Sequence, residues 1–170
     1  MHAALERLCQ EHRDVSAIVG AANEPTLSAC LDDGFRKALV LSAASFFETR
    51  IVEALLNYAQ NKSGGDYCIL ALIRNKAIKR QYHTYFNWDD RKAGPFFTLL
   101  GETIGNKLRQ VSQSGPLKDQ LAAFLEVGYL RNCLVHQNFV NFVCPKSADE
   151  IQTLCSAAEE FVCVVEAELA

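Results

Sequence analysis

Much of what identifies the commoner enzymes is missing from this chain of 170 residues. There is no G-x-S-x-G elbow, no phosphate-binding glycine loop, no H-E-x-x-H helix and no pair of catalytic carboxylates, which removes the usual hydrolase and nucleoside-triphosphatase readings. Histidines number only four. The seven cysteines (Cys9, Cys30, Cys68, Cys133, Cys144, Cys155 and Cys163) are odd in number, and none is paired at C-x-x-C spacing. That pattern fits thiols of a reducing cytoplasm rather than a zinc site or a disulfide framework, so neither metal nor cofactor is expected. No apolar run approaches the roughly 20 residues that span a bilayer. The opening Met-His-Ala-Ala-Leu-Glu lacks the charged start and apolar stretch of a secretory signal. A cytoplasmic protein without membrane contact is expected. Basic excess is lacking too. With a net charge of −3, nothing draws nucleic acid from a distance, and any RNA contact must come from a local basic site or a dimer groove.

What is present is helix. Apolar residues recur at helical rather than alternating spacing almost throughout, without internal repeat, low-complexity tract or linker, which predicts a single all-α domain over 1–170. Residues 1–31 read as an N-terminal helical extension and 33–170 as a core bundle of about five to six helices. Ala3 to Ala22 forms the first helix, with Leu5, Leu8, Val15, Ile18 and Val19 as its stripe. Asn23-Glu24-Pro25-Thr26 interrupts it, since proline cannot donate to the helix ladder. Asp32 or Asp33 is expected to cap the longest helix, which runs to about Asn61 with Val40, Ala44, Phe47, Ile51, Ala54 and Tyr58 as its seam. Ser63-Gly64-Gly65 ends it. Asp66 caps a helix to about Gln81, followed by an irregular aromatic stretch, Tyr82 to Trp88. Gly94-Pro95 opens a helix from Phe96 to about Gln113, with Phe96, Phe97, Leu100, Ile104 and Leu108 inward. Ser114-Gly115-Pro116 is a turn with proline at the first helical position. The next helix carries Leu121, Phe124, Leu125, Gly128 and Leu134. Pro145 breaks again, and Ser147 with Glu150 is a capping box for the final helix. Helices joined by short turns predict an up-and-down bundle.

The chemistry gathers at Arg131-Asn132-Cys133-Leu134-Val135-His136, where an apolar helix ends in a cation, an amide and an imidazole. Asn132 and His136 are four apart and share a helix face. Arg131 is rotated about 100° from Asn132, and its long side chain reaches the groove beside that face. The amide can orient the imidazole or hold a substrate oxygen, and the guanidinium can clamp a phosphate in bidentate fashion. Histidine titrates nearest neutrality and is the usual proton carrier. These are the parts RNA transesterification requires: deprotonation of a 2′-hydroxyl, stabilisation of a phosphorane by a cation, and protonation of the 5′-oxygen. One such His per chain is too few for both proton transfers, and two chains across a twofold axis would supply two. The spacing alone is weak, because Arg7 and His12 repeat it. That pair has Leu8 where the later one has Asn132, and it reads as structural.

An R-N-x-x-x-H run near the end of a late helix in an all-α chain resembles the R-x4-6-H motif of the HEPN superfamily, in which a polar residue commonly follows the Arg. Leu39 to Asn57, with Ser45-Phe46-Phe47-Glu48 inside it, is similar to the second helix of stand-alone prokaryotic members, where an acidic residue sits mid-helix. Phe86-Asn87-Trp88 and Phe96-Phe97-Thr98-Leu99-Leu100-Gly101 are similar to one such branch. The resemblance covers about Asp33 to the C-terminus, with the first helix as an extension. It implies a bundle that dimerises with its motifs facing each other, and metal-independent endoribonuclease activity with Arg131 and His136 catalytic and Asn132 assisting. It also implies a toxin or phage-defence role beside a nucleotidyltransferase or another antitoxin. Other HEPN proteins bind nucleotides or RNA, or act as interaction modules without catalysis, which is the alternative reading.

Other residues leave two readings each. Glu48, beside Phe47 on the long helix, either faces Arg131 or His136 and fixes them or is a solvated carboxylate. Glu126 reads as an exposed charge. Lys76, Lys79 and Arg80, with Arg74 nearby and the aromatics Tyr82, His83, Tyr85, Phe86 and Trp88 following, can hold single-stranded RNA by charge and stacking. The commoner meaning, favoured here, is a wet helix face followed by core plugs, with His83 the residue that fits it least.

Overall fold

A computed structural model describes residues 2–137 and 139–170, and among them the chain is helical with no strand, only an isolated bridge between Asn87 and Lys92. Four long helices make the body: α1 (Ala3–Ala21), α2 (Pro25–Lys62), α7 (Pro116–His136) and α8 (Ala148–Leu169). Between α2 and α7 come the shorter α3 (Tyr67–Ile73), α4 (Tyr82–Tyr85), α5 (Gly94–Leu99) and α6 (Asn106–Val111). None of the described helices is long and apolar enough to cross a membrane.

Side-chain pairings give the directions. His2 packs on Phe46 and His12 on Phe35, so α1 and α2 run antiparallel. Phe47 meets Phe124 while Lys37 bonds the carbonyl of Phe139, so α7 runs antiparallel to α2. Phe124 meets Phe161, and α8 returns alongside α2, where Arg36 reaches Lys146 and Arg50 reaches Glu159 and Glu166. This is the up-and-down bundle the sequence predicts. Its core is apolar and includes the buried thiols of Cys9, Cys133, Cys144 and Cys155, and burial pushes the Cys155 thiol up to about 12.

Several local expectations are corrected. Asp32 and Asp33 cap nothing: α2 starts seven residues earlier, with Pro25 in its first turn, where the missing N–H costs no hydrogen bond. Asp32 instead meets His12, and Asp33 pairs with Lys37 and Arg36. The boundary proposed between 31 and 33 thus falls inside one continuous helix. On α1, Val15 and Ile18 are exposed, and the residues it buries are Leu5, Cys9 and Val19. The seam of α2 is not a 4-3 heptad. Its buried residues include the row Phe35, Leu39, Ala43, Phe47, Ile51, Leu55 and Ala59, spaced four apart throughout, with Val40 of the expected seam buried beside it. Such a row rotates about 40° per step, so the buried face winds from α1 and α8 toward α7 and then α3.

Gly64 and Gly65 take positive φ of 62° and 82° to end α2, as the sequence predicts, and Asp66 caps α3 by accepting from the Ile69 N–H. The helix expected to reach Gln81 instead widens to a π turn over Arg74–Ile78 and ends. Part of the stretch expected to be irregular is the short helix α4, and the helix expected over Phe96 to Gln113 is broken. Gly101, at φ 73°, ends α5, and a π turn over Gly101–Gly105 leads into α6. The Ser147–Glu150 capping box is present.

Candidate active site

The last turns of α7 form one wall of a cavity of about 270 Å³. Its lining residues on α7 are Phe124, Val127, Gly128, Arg131 and Asn132, the i, i+3, i+4 row that one helix face must present. Ala44, Phe47 and Glu48 of α2 form a second wall. Arg80, Tyr82, His83 and Trp88, from the segment around α4, form the third. Residues far apart in sequence, Glu48, Arg80, His83, Arg131 and Asn132, thus share one pocket with an aromatic floor.

That floor explains why the wall is fixed. Tyr85, Phe86 and Trp88 are buried, and rings run in contact from Trp88 through Phe86 to Phe124 and Phe161. Gly128 is the point of closest approach, since a Cβ there would lie 2.0 Å from Cζ3 of Trp88. The sequence signals an inward Gly128 and a distinctive Phe86-Asn87-Trp88, but nothing in it couples the two.

Arg131 is half-buried, and one of its terminal nitrogens donates to Oδ1 of Asn132 at 3.2 Å. Its remaining N–H groups have no protein acceptor among the described residues. Asn132 therefore steadies the guanidinium rather than the imidazole, leaving its own amide N–H groups free. Glu48 is half-buried in the same cavity, though no ion pair joins it to Arg131 among the described residues. Tyr82 records both charges. Burial pushes its hydroxyl well above the usual tyrosine range, the Glu48 carboxylate pushes the same way, and Arg131 opposes them.

His136 is exposed in the last turn of α7 and does not line the cavity. It continues the Gly128–Asn132 row one turn on, about 6 Å further along the axis. It has no protein partner among the described residues, and neither has His83. The other two histidines are engaged: His2 caps α1, and His12 stacks on Phe35 with Nε2 2.8 Å from Asp32. Arg7 is exposed and lies 3.7 Å from Glu11 on its own helix, so of the N-terminal Arg–His pair only His12 is built into the α1–α2 hairpin, and neither lines the cavity.

The basic cluster divides. Arg80 lines the cavity, and Lys79 lines an adjoining one of about 530 Å³ with Arg74 and Tyr67. The two cavities share Glu48, Arg80 and Tyr82, so they form one continuous groove. Lys76 is exposed and lines neither. Glu126 is not the exposed charge the sequence suggests. It is mostly covered and pairs with Arg91 at 3.0 Å, because the turn carrying Arg91 folds back over α7 and lays the guanidinium on the Tyr129 ring. No group of three or more His, Cys, Asp or Glu among the described residues is arranged to hold a metal ion.

Comparison with known families places the chain. The family model RiboL-PSP-HEPN matches residues 6–170, so the match takes in α1 as well as the span from Asp33 where the resemblance was legible. No curated protein and no solved structure matched significantly. The chain belongs to the RiboL-PSP-HEPN family of the HEPN superfamily.

Proposed function

We propose that the protein is a cytoplasmic, homodimeric, metal-independent endoribonuclease that serves as a toxin or phage-defence effector, with an antitoxin or nucleotidyltransferase as its partner. HEPN domains are typically nucleases or RNA-binding modules. The observation that carries the nuclease reading is Arg131. Its guanidinium sits in a groove, steadied by Asn132 and with donors to spare, one turn before an unengaged imidazole. In the proposed reaction a 2′-oxygen loses its proton and bonds to phosphorus while the P–O5′ bond breaks and O5′ gains a proton. The products are a 2′,3′-cyclic phosphate and a 5′-hydroxyl. Arg131 stabilises the charge of the phosphorane, and His136 carries one of the protons. Glu48 sets a carboxylate beside the cationic wall, and Arg80, Lys79 and Lys76 attract the strand.

Exposed apolar side chains around His136 support dimerisation through this end of the molecule: Val135, Phe139 and Val143 are 53%, 46% and 78% exposed. The test is His136→Ala. Cleavage of single-stranded RNA should fall by at least about 100-fold, with helicity and dimer mass unchanged. Cleavage at the wild-type rate would rule out the role of His136. The second reading, a non-catalytic RNA-binding or protein-interaction module, draws on the exposed position of His136 outside the cavity. It predicts RNA binding without cleavage at any protein concentration.

A further inference from the structure

The adjoining cavity of about 530 Å³ carries chemistry that the proposed reaction leaves unused. It lies between α2 and the α3 segment and meets the first cavity at Glu48, Arg80 and Tyr82. We propose that it is a subsite for one unpaired nucleotide next to the phosphate held at Arg131, with Tyr67 stacking on the base and Arg74, Lys79 and Arg80 holding the flanking phosphates; the inference rests on the reading of the protein as one that handles RNA. The subsite makes no demand on how two motifs meet, and the proposed dimer carries one per protomer.

Backbone geometry gathers the cations. Tyr67, Leu70, Ala71, Arg74 and Asn75 line the cavity at the i, i+3, i+4, i+7, i+8 spacing of one helix face. Lys79 comes five residues after Arg74, which in a continuing α-helix would set it about 140° round the axis. The π turn over Arg74–Ile78 instead closes with the Lys79 N–H donating to the Arg74 carbonyl at 2.7 Å, and the wider turn keeps Lys79 on the same wall. Arg80 follows at a φ of 61°, a left-handed conformation that a residue with a Cβ adopts only against strain, and its side chain lines both cavities. Arg74, Lys79 and Arg80 have no side-chain acceptor among the described residues, and Glu48 is the one carboxylate lining the cavity. Its wall therefore attracts anions although the chain as a whole carries −3.

Tyr67 supplies what a base needs. Tyr82, the other ring lining the cavity, is tied into the aromatic cluster, whereas Tyr67 is 82% exposed and has no ring contact among the described residues. An open ring face beside unengaged cations is the combination that holds single strands, by base stacking and phosphate contact together. Half-buried Val52, Leu56 and Leu70 give the cavity an apolar side as well. Its volume falls within the range of small-ligand sites, roughly 300–1,000 Å³. A duplex keeps its base faces inside the stack, so such a subsite selects unpaired RNA.

The experiment measures binding by the full chain and its variants to a fluorescein-labelled single strand of mixed sequence, about 12 nucleotides long. The strand is built of 2′-O-methyl nucleotides so that it cannot be cleaved, and is compared with its duplex and with an abasic strand of equal length. Tyr67→Ala should weaken binding of the base-bearing strand by at least about fivefold, and Tyr67→Trp should retain it, because stacking is the property the two rings share. On the abasic strand and the duplex, Tyr67→Ala should match the wild type within about twofold, since neither offers an open base face. The double variant Arg74→Ala, Lys79→Ala should lower the slope of log affinity against log salt by about 1.4, at about 0.7 for each phosphate contact on a single strand. Equal affinity of the wild type and Tyr67→Ala for the base-bearing strand overturns the subsite. So does an equal loss on the abasic strand, which would mean a damaged fold or a contact to the backbone alone. The nuclease reading fails separately: a wild type that binds with this dependence on Tyr67 and cleaves no unmodified RNA keeps the subsite and loses the nuclease. A wild type that binds none of the strands overturns both.

Discussion

A methyl group added at Gly128 would stand 2.0 Å from Cζ3 of Trp88, inside the ring's van der Waals envelope. The indole is 8% exposed and hemmed in by Tyr82, Phe86 and Phe124, so it cannot swing aside without disturbing the floor of the cavity. Gly128→Ala should therefore destabilise the protein by about 1–3 kcal/mol in urea unfolding, the usual cost of overpacking. The chain has a single tryptophan, so the native fluorescence spectrum reports the displacement directly. An unchanged spectrum and midpoint would mean that the wall yields freely. Legibility at this scale followed sequence distance. Arg131, Asn132 and His136 could be read because helix geometry relates them locally, although their partnering could not: Asn132 serves the guanidinium, not the imidazole. The Trp88–Gly128 contact and the Arg91–Glu126 pair join residues 40 and 35 positions apart, and no local periodicity encodes either.

Elements were legible where strong punctuation marks them, as at Gly64-Gly65 and the Ser147 capping box. They were misread where two signals competed. Asp32 and Asp33 look like caps, but Pro25 already supplies a start, and acidic side chains inside a helix find basic partners one turn on. The π turns at Arg74–Ile78 and Gly101–Gly105 leave the apolar spacing nearly helical and so carry little signal. One of the misread aspartates has a consequence for the segment that follows the motif. Lys37 is 4% exposed, and its ammonium reaches Asp33 at 2.7 Å and the Phe139 carbonyl at 3.0 Å, while Arg36 bonds the carbonyls of Cys144 and Lys146. The start of α2 thus holds the α7–α8 connection against the body. Lys37→Ala should cost about 1–3 kcal/mol, since a buried acceptor loses its donor. Hydrogen exchange should quicken over 139–147 and stay slow in the buried turns of α7. Uniform loss of protection, or none, would contradict this local role.

At the scale of the molecule the fold class was the most legible feature, because helical spacing pervades the chain and short turns leave few topologies open. The groove was the least legible. It exists only once α2, α7 and the segment around α4 are assembled, and each contributes groups that have bland meanings taken alone. Glu48 reads as a solvated carboxylate, Arg80 as a wet helix face and His83 as part of a core plug, until packing brings them around Arg131. The overall charge of −3 gives no hint of such a site, since its cations are local. The central claim is that Arg131 stabilises a phosphorane in this groove. It is tested most directly by single-turnover cleavage of single-stranded RNA in the presence of a chelator by the wild type, Arg131→Ala and Arg131→Lys. The account predicts cyclic-phosphate products from the wild type and a loss of at least about 100-fold in both variants, because lysine keeps the charge but not the planar fork. Cleavage by Arg131→Ala at the wild-type rate, or a wild type that leaves RNA intact, would contradict it.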